Sequence, residues 1–204
     1  GNYEKHHLED GNEIKKAFLH PPPPPPHITV PHKEFAFANA DIVRGLAKEI
    51  EAVNTYILED GNVVAYNTDA PGFLKAIESL GEIKNVLLLG AGGTAKAIAL
   101  ALQEKGIEVT VLNRSENKLD FFINHNIPSF SWENFEPEDY DLVVNSTSAG
   151  LKDDYLPCDK SLLENIFKSA SFAFDCVYGK ITPFLALALE NGLEIKDGED
   201  MLLF

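Results

Sequence analysis

Five polar residues of this chain fall where its hydrophobic pattern brings strands to an end: Thr29, Lys33, Asn54, Asp69 and Tyr178. Taken singly each has an ordinary reading, since surface lysines are solvated and Asn or Asp commonly caps a turn or a helix. Placed together beside a nicotinamide-binding unit, they match what hydride transfer to a carbonyl needs. A proton must reach the developing alkoxide from a general acid that still holds it near neutral pH. A lysine serves if partial burial or positive neighbours lower its pKa, and a carboxylate such as Asp69 can orient both the amine and a substrate hydroxyl.

A hydride donor needs its own binding unit, and a second group of residues has the form of one. The apolar run Val86–Leu89 breaks at Gly90-Ala91-Gly92-Gly93-Thr94-Ala95 and passes into a pattern rich in Ala, Ile and Leu. Strand, glycine turn and helix in this order make a G-x-G-x-x-A dinucleotide fingerprint, although an ordinary strand–helix turn can share it. Gly90 permits the sharp turn, Gly92 lets the backbone approach a pyrophosphate, and Ala95 lets the helix pack close to the strand. The N–H groups and dipole of the helix start receive the phosphate charge.

The next apolar run, Glu108–Leu112, reads as the neighbouring parallel strand and ends in Asn113-Arg114-Ser115. An NAD site usually places an acid at this strand tip to accept from the ribose 2′-hydroxyl. Here Arg114 stands instead, and its guanidinium suits a 2′-phosphate, with Lys118 one helical turn later as a second cation. The expected cofactor is therefore NADP; a solvated Arg at a helix start is the alternative.

The elements that must position these residues alternate. Ile14, Phe18 and Leu19 give a helix over 11–19. Six prolines, 21–26, then favour polyproline II. A stiff spacer or an SH3-type ligand is the usual reading of such a run, and its place between a helix and a strand of one domain argues against both. A strand follows over 27–30. Residues 35–52 read as helical, with Asp41, Ile42, Leu46 and Ile50 marking a second amphipathic helix. Residues 52–58 and 63–66 form a hairpin about Glu59-Asp60-Gly61-Asn62, and 71–80 is a helix. After the strand at 86–89, helices are expected over 118–126, 161–167 and 183–191, the last with Pro183 at its start. Strands are expected over 141–145 and 171–177. The alternation implies an α/β protein whose parallel sheet carries helices on both faces, with ligands at the strand C-terminal ends.

The chain has 204 residues and a formal net charge of −15. The acidic balance, without a basic stripe, argues against nucleic acid as a partner, and any anionic ligand must be held by a few local cations. No apolar stretch approaches the roughly 18 residues of a membrane helix. Cys158 and Cys176 suggest neither a metal site nor a disulfide framework. A cytoplasmic location is expected, with a small-molecule substrate as partner and a homodimer as the open option for assembly.

The motifs ITVPHKE, EAVNT, YNTD, LGAGGTAKAIA, VLNRS and NSTSAG, in this order, and the later DCVYGKITPFL and DGEDML, resemble the shikimate dehydrogenase family through nearly all of the chain. The resemblance implies NADPH-dependent reduction of 3-dehydroshikimate to shikimate, in aromatic amino-acid biosynthesis. It implies an N-terminal α/β substrate domain over residues 1–70 and a Rossmann-like NADP-binding domain with a parallel sheet over 71–204. It makes Lys33 the proton-transfer residue with Asp69 beside it. Thr29, Asn54 and Asp69 would hold substrate hydroxyls, and Tyr178 would lie near the substrate and the nicotinamide. Gly90, Ala91, Gly92, Gly93, Thr94 and Ala95 would cradle the pyrophosphate. Asn113, Arg114 and Lys118 would bind the 2′-phosphate, and Thr147, Cys176 and Gly198 would line the nicotinamide.

The chain also departs from the family pattern. No Ser-x-Ser motif for the substrate carboxylate precedes Gly1, and no glutamine or C-terminal helices follow the Met-Leu segment. Prolines and His27 stand where the family has Gly-Ala-Asn. The substrate half is thus expected to be incomplete at its N-terminus and the cofactor half whole. Two alternatives follow: a truncated module that binds NADP without turnover, and a quinate/shikimate dehydrogenase using NAD.

Overall fold

A computed structural model describes residues 13–19, 28 and 32–203. The proline run and most of the strand expected at 27–30, including Thr29, lie outside the described residues. The chain divides between Thr68 and Asp69 into two compact units.

The first unit contains α1 (Ile14–Leu19), α2 (Lys33–Asn39), β1 (Ile42–Val43), α3 (Leu46–Ile50), β2 (Thr55–Glu59) and β3 (Asn62–Tyr66). Strands β2 and β3 pair antiparallel about Asp60-Gly61, both at positive φ (48° and 82°), as a two-residue hairpin turn demands. β1 pairs parallel with the other side of β3. A small core of Phe18, Ala36, Ala47, Val53 and Tyr56 lies against the sheet. The buried Tyr56 packs edge-on to Phe18 and donates its hydroxyl proton to the Ala36 carbonyl at 2.6 Å.

The continuous helical span expected over 35–52 is corrected here. Helix α2 stops at Asn39 and α3 begins only at Leu46. Between them Asp41 leaves the helix for the sheet: its N–H donates to the Val63 carbonyl, and its carboxylate accepts from the Val63 N–H. Gly45, at φ +61°, then turns the chain into α3. Two β-branched residues, Ile42 and Val43, thus extend the sheet, and Ile42 is exposed instead of lining a helix face.

The second unit begins with α4 (Asp69–Ile77), two residues earlier than expected. It continues through β4 (Asn85–Leu89), α5 (Gly93–Glu104), β5 (Glu108–Asn113), α6 (Asp120–Asn124), β6 (Ser129–Ser131) and β7 (Leu142–Asn145). The rest is α7 (Lys160–Phe167), β8 (Phe172–Asp175), α8 (Pro183–Glu190) and β9 (Glu194–Asp197), closed by a 3₁₀ turn over Gly198–Leu203. Six parallel strands run in the order β6-β5-β4-β7-β8-β9. β5 and β7 therefore leave β4 on opposite sides, and ligands of doubly wound sheets bind at the carboxyl end of such a switch.

Alternation along the strands separates the two faces. Leu87, Leu89, Val143 and Ala173 share a core with Ile166 and Phe167 of α7 and Phe184 and Leu185 of α8. Phe174, one residue on from Ala173, points the other way and meets Phe73 of α4 edge-on, with ring centroids 5.1 Å apart. The sheet is covered on both sides, as its nearly continuous apolar strands require. Edge strands β6 (Ser-Phe-Ser) and β9 (Glu-Ile-Lys-Asp) were not expected, for neither carries an apolar run. Among the described residues no helix is long and apolar enough to cross a membrane.

The C-terminal 3₁₀ turn rests on α4 at Gly72, where a methyl group would lie 2.8 Å from the Met201 carbonyl oxygen. Gly72→Ala is expected to lower unfolding stability by about 1–3 kcal/mol, as overpacking does, despite the better helix propensity of alanine. Urea denaturation of the two proteins checks this.

Candidate functional site

The glycine turn is built by close packing at one residue and open space at another. Gly90 leaves β4 at φ +110°, and its N–H donates to the Leu112 carbonyl. A methyl group there would come within 2.8 Å of Ser146 Oγ and 3.1 Å of Thr147 Cγ2, so the turn lies flat against the loop leaving β7. Gly92 is the opposite case. It is the N-cap of α5 in extended conformation, offers no side chain to the first-turn N–H groups, and has nothing within 4 Å of where a methyl would stand. The first turn of α5 contains no acidic residue, and Ala95 is fully buried beneath it. A helix of twelve residues whose N-terminus is uncapped by any side chain, has no acidic residue of its own in the first turn and is open over one glycine is a fit for a pyrophosphate.

Thr94 has a different partner from the one expected of a phosphate loop. Its Oγ1 donates to Asp69 Oδ2 at 3.0 Å, which joins the N-terminus of α5 to that of α4. Asp69 itself is buried.

At the tip of β5, Asn113 Nδ2 donates to the Ser115 carbonyl at 2.9 Å and closes the turn that presents Arg114. Arg114 and Lys118 are both exposed, within a short stretch that includes a 3₁₀ turn over Glu116–Lys118. Two cations beside the carboxyl end of β5 fit a second phosphate group.

Three buried polar residues that the sequence reading passed over support the loops on the far side of the switch. Asp175, at the end of β8, is fully buried. It accepts from Asn145 Nδ2 at 3.1 Å, from the Val177 N–H at 2.9 Å and from Thr182 Oγ1 at 2.6 Å. Asn145 ends β7, and its Oδ1 accepts from both the N–H and the hydroxyl of Thr147. Thr182 caps α8 by accepting from the Leu185 N–H. Two polar residues closing otherwise apolar strands were the available signal, in VVNS and FAFDC. The network sets the course of the segments carrying Thr147, Cys176 and Tyr178. Gly198 closes this side: a methyl there would lie 2.6 Å from the Cys176 carbonyl oxygen. Tyr178 is largely exposed on the loop after β8.

In the first unit, Lys33 opens α2 and is half-buried, and its carbonyl accepts from the Val53 N–H at 3.0 Å. That bond carries the chain directly to Asn54, which is fully buried. The Asn54 carbonyl oxygen Oδ1 accepts from the Thr68 N–H at 3.0 Å and from Thr55 Oγ1 at 3.0 Å, while its amide donates to Thr68 Oγ1. Asn54 thereby fixes the end of the segment that leads into Asp69. Thr29 lies outside the described residues.

Burial pushes the Asp175 carboxyl up to about 6, with the negative charge of Asp197 adding to the effect and the donors from Thr182, Val177 and Asn145 opposing it. Between its ordinary value of 3.8 and about 6, the folded protein holds a proton that the unfolded chain has released. Stability from this group is therefore greatest at low pH and is lost as pH rises through 6. Asp175→Asn, which does not titrate, should gain about 2 kcal/mol relative to the parent between pH 4.5 and pH 7.5, read from urea midpoints. Gly92→Ala should leave stability within about 1 kcal/mol of the parent. It should weaken dinucleotide binding at least about tenfold in a calorimetric titration, because the methyl blocks a charge-assisted backbone contact.

Comparison with known proteins agrees with this geometry. A family model described as shikimate / quinate 5-dehydrogenase matches residues 74–151. The shikimate dehydrogenase (NADP(+)) of Helicobacter hepaticus is 45% identical, over all of this chain and 76% of its own length. A crystal structure of shikimate 5-dehydrogenase from Thermus thermophilus, in complex with NADP(H) and shikimate, matches with a TM-score of 0.74 and 36% identity. That match covers 86% of this chain and 67% of the other. A crystal structure of an Ael1 enzyme from Pseudomonas putida matches with a TM-score of 0.81 and 33% identity, over 97% of this chain and 75% of the other. With an uncapped glycine turn at a sheet switch point, an arginine at the tip of the neighbouring strand and a relative 45% identical over the whole of this chain, the chain belongs to the shikimate dehydrogenase family.

Proposed function

We propose that this chain catalyses the reversible, NADP-dependent interconversion of 3-dehydroshikimate and shikimate, a step of aromatic amino-acid biosynthesis. The observation that carries the proposal is Arg114 at the tip of β5, where an NAD enzyme would have an acid, in a chain 45% identical to a shikimate dehydrogenase (NADP(+)). Bound NADPH supplies the hydride that adds to the substrate carbonyl carbon; the remaining work belongs to the chain's own residues.

In this reading, Gly90–Ala95 hold the pyrophosphate on the open N-terminus of α5. Asn113 shapes the turn from which Arg114 and Lys118 neutralise the 2′-phosphate. Thr147, Cys176 and Gly198 line the nicotinamide, on loops braced by Asn145 and Asp175. Lys33 donates a proton to the carbonyl oxygen as the carbonyl becomes an alcohol, and takes it back in the reverse direction. Thr29, Asn54 and Asp69 hold substrate hydroxyls, and Tyr178 contacts the substrate near the nicotinamide. Residues 1–70 serve as the substrate domain and 71–204 as the cofactor domain. The reading also gives the enzyme a cytoplasmic setting and leaves it free to act as a homodimer.

Shikimate oxidation followed through NADPH absorbance tests the proposal. The parent chain should turn over with NADP, and Lys33→Ala should lower kcat by about 10²–10⁴-fold, the usual contribution of a general acid, while NADPH binding stays intact. Absence of turnover in a parent chain that binds NADPH would reduce the proposal to a cofactor-binding module.

A further inference from the structure

The turn after β5 that presents Arg114 also contains an acid. Glu116 lies two residues beyond Arg114 in the sequence. An acid in this region is what selects an unphosphorylated ribose in doubly wound sheets, because a carboxylate accepts from the 2′-hydroxyl and repels a 2′-phosphate. In this protein the Glu116 carboxylate is drawn to the neighbouring edge strand. Its Oε1 accepts from Ser131 Oγ at 3.2 Å and from Asn134 Nδ2 at 3.0 Å.

Both donors are well placed. Ser131 ends β6 directly opposite Asn113, the residue that ends β5, and it is buried. Asn134 is held in the following turn by its own N–H, which donates to the Ser131 carbonyl at 3.1 Å, and its amide also reaches Ser131 Oγ at 3.3 Å. Serine, asparagine and the turn thus form one clamp on a single carboxylate oxygen. β6 is only three residues long and contributes little to the core, with Phe130 exposed. Its position beside the tip of β5 is what gives it this role.

We propose that Ser131 and Asn134 are specificity-determining residues: by holding the Glu116 carboxylate they keep the tip of β5 selective for a 2′-phosphorylated nucleotide. The proposal rests on the reading of Arg114 as a ligand of the 2′-phosphate. With the clamp open, Glu116 competes with the phosphate for Arg114 and offers an acceptor to a ribose 2′-hydroxyl, so the preference moves toward the unphosphorylated form.

Calorimetric titration with adenosine 2′,5′-bisphosphate and with 5′-AMP reads the preference without turnover, as the ratio of the two dissociation constants. Ser131→Ala/Asn134→Ala should reduce that ratio by about tenfold or more, the worth of one hydrogen bond to a charged group, with 5′-AMP affinity retained or improved. Asn134→Ala alone, a change at an exposed side chain, should move it in the same direction. Adding Glu116→Ala to the double variant should restore the ratio, because the released carboxylate is then gone. An unchanged ratio in the double variant, or a triple variant that stays low, overturns the proposal. Arg114→Ala separates the two layers of the argument. If it leaves the ratio unchanged, the 2′-phosphate reading fails and the clamp with it; if it lowers the ratio while the double variant does not, only the clamp fails.

Discussion

The parallel sheet of the second unit depends on satisfying one carboxylate that has no access to water. Asp175 sits fully buried at the end of β8, and an ionised group so placed is costly unless donors converge on it. Three do, from β7, from the chain just beyond β8 and from the N-cap of α8. Each donor is also a fixed point of the backbone. The single carboxylate therefore sets the spacing of two strand ends and the start of a helix. A purely apolar pair of strand ends would pack as well, yet would leave the loops beyond them free to slide.

Steric fit secures the same loops. Gly90 allows the β4 turn to lie against Ser146 and Thr147, and Gly198 allows the C-terminal turn to lie against Cys176. Electrostatic convergence and close backbone approach together shape the carboxyl edge of the sheet. Gly92 differs from these two: it is the N-cap of α5, supplies no side-chain cap and has nothing within 4 Å of where a methyl would stand, which suits the ligand role proposed for it.

Much of this was legible from residue order alone. The strands β4, β5, β7 and β8 are apolar runs, the glycine turn and Arg114 are local motifs, and Thr182-Pro183 announces α8. Other parts were not. β6 and β9 are edge strands made of residues with no apolar pattern, and they exist because the neighbouring strand offers a hydrogen-bonding edge. The break between α2 and α3 was hidden because Ile42, Leu46 and Ile50 fit a helical period, while the deciding contacts of Asp41 are with Val63, far along the chain. The partners of Thr94 and of Glu116 were hidden for the same reason. A side-chain hydrogen bond between residues 15 or 25 positions apart leaves no trace in local periodicity.

The bond from Thr94 to Asp69 also has a thermodynamic consequence. One hydroxyl belongs at once to the glycine turn and to the donors that meet a buried carboxylate, so displacing either perturbs the other. Under the proposed roles, a ligand that moved the turn would change the free energy of a ligand on Asp69, and a ligand on Asp69 would change that of the turn by the same amount. The two proposed binding events, separate along the chain, would then share a term in their linkage. The order in which two such ligands arrived would alter the rates of assembly but not the free energy of a ternary complex.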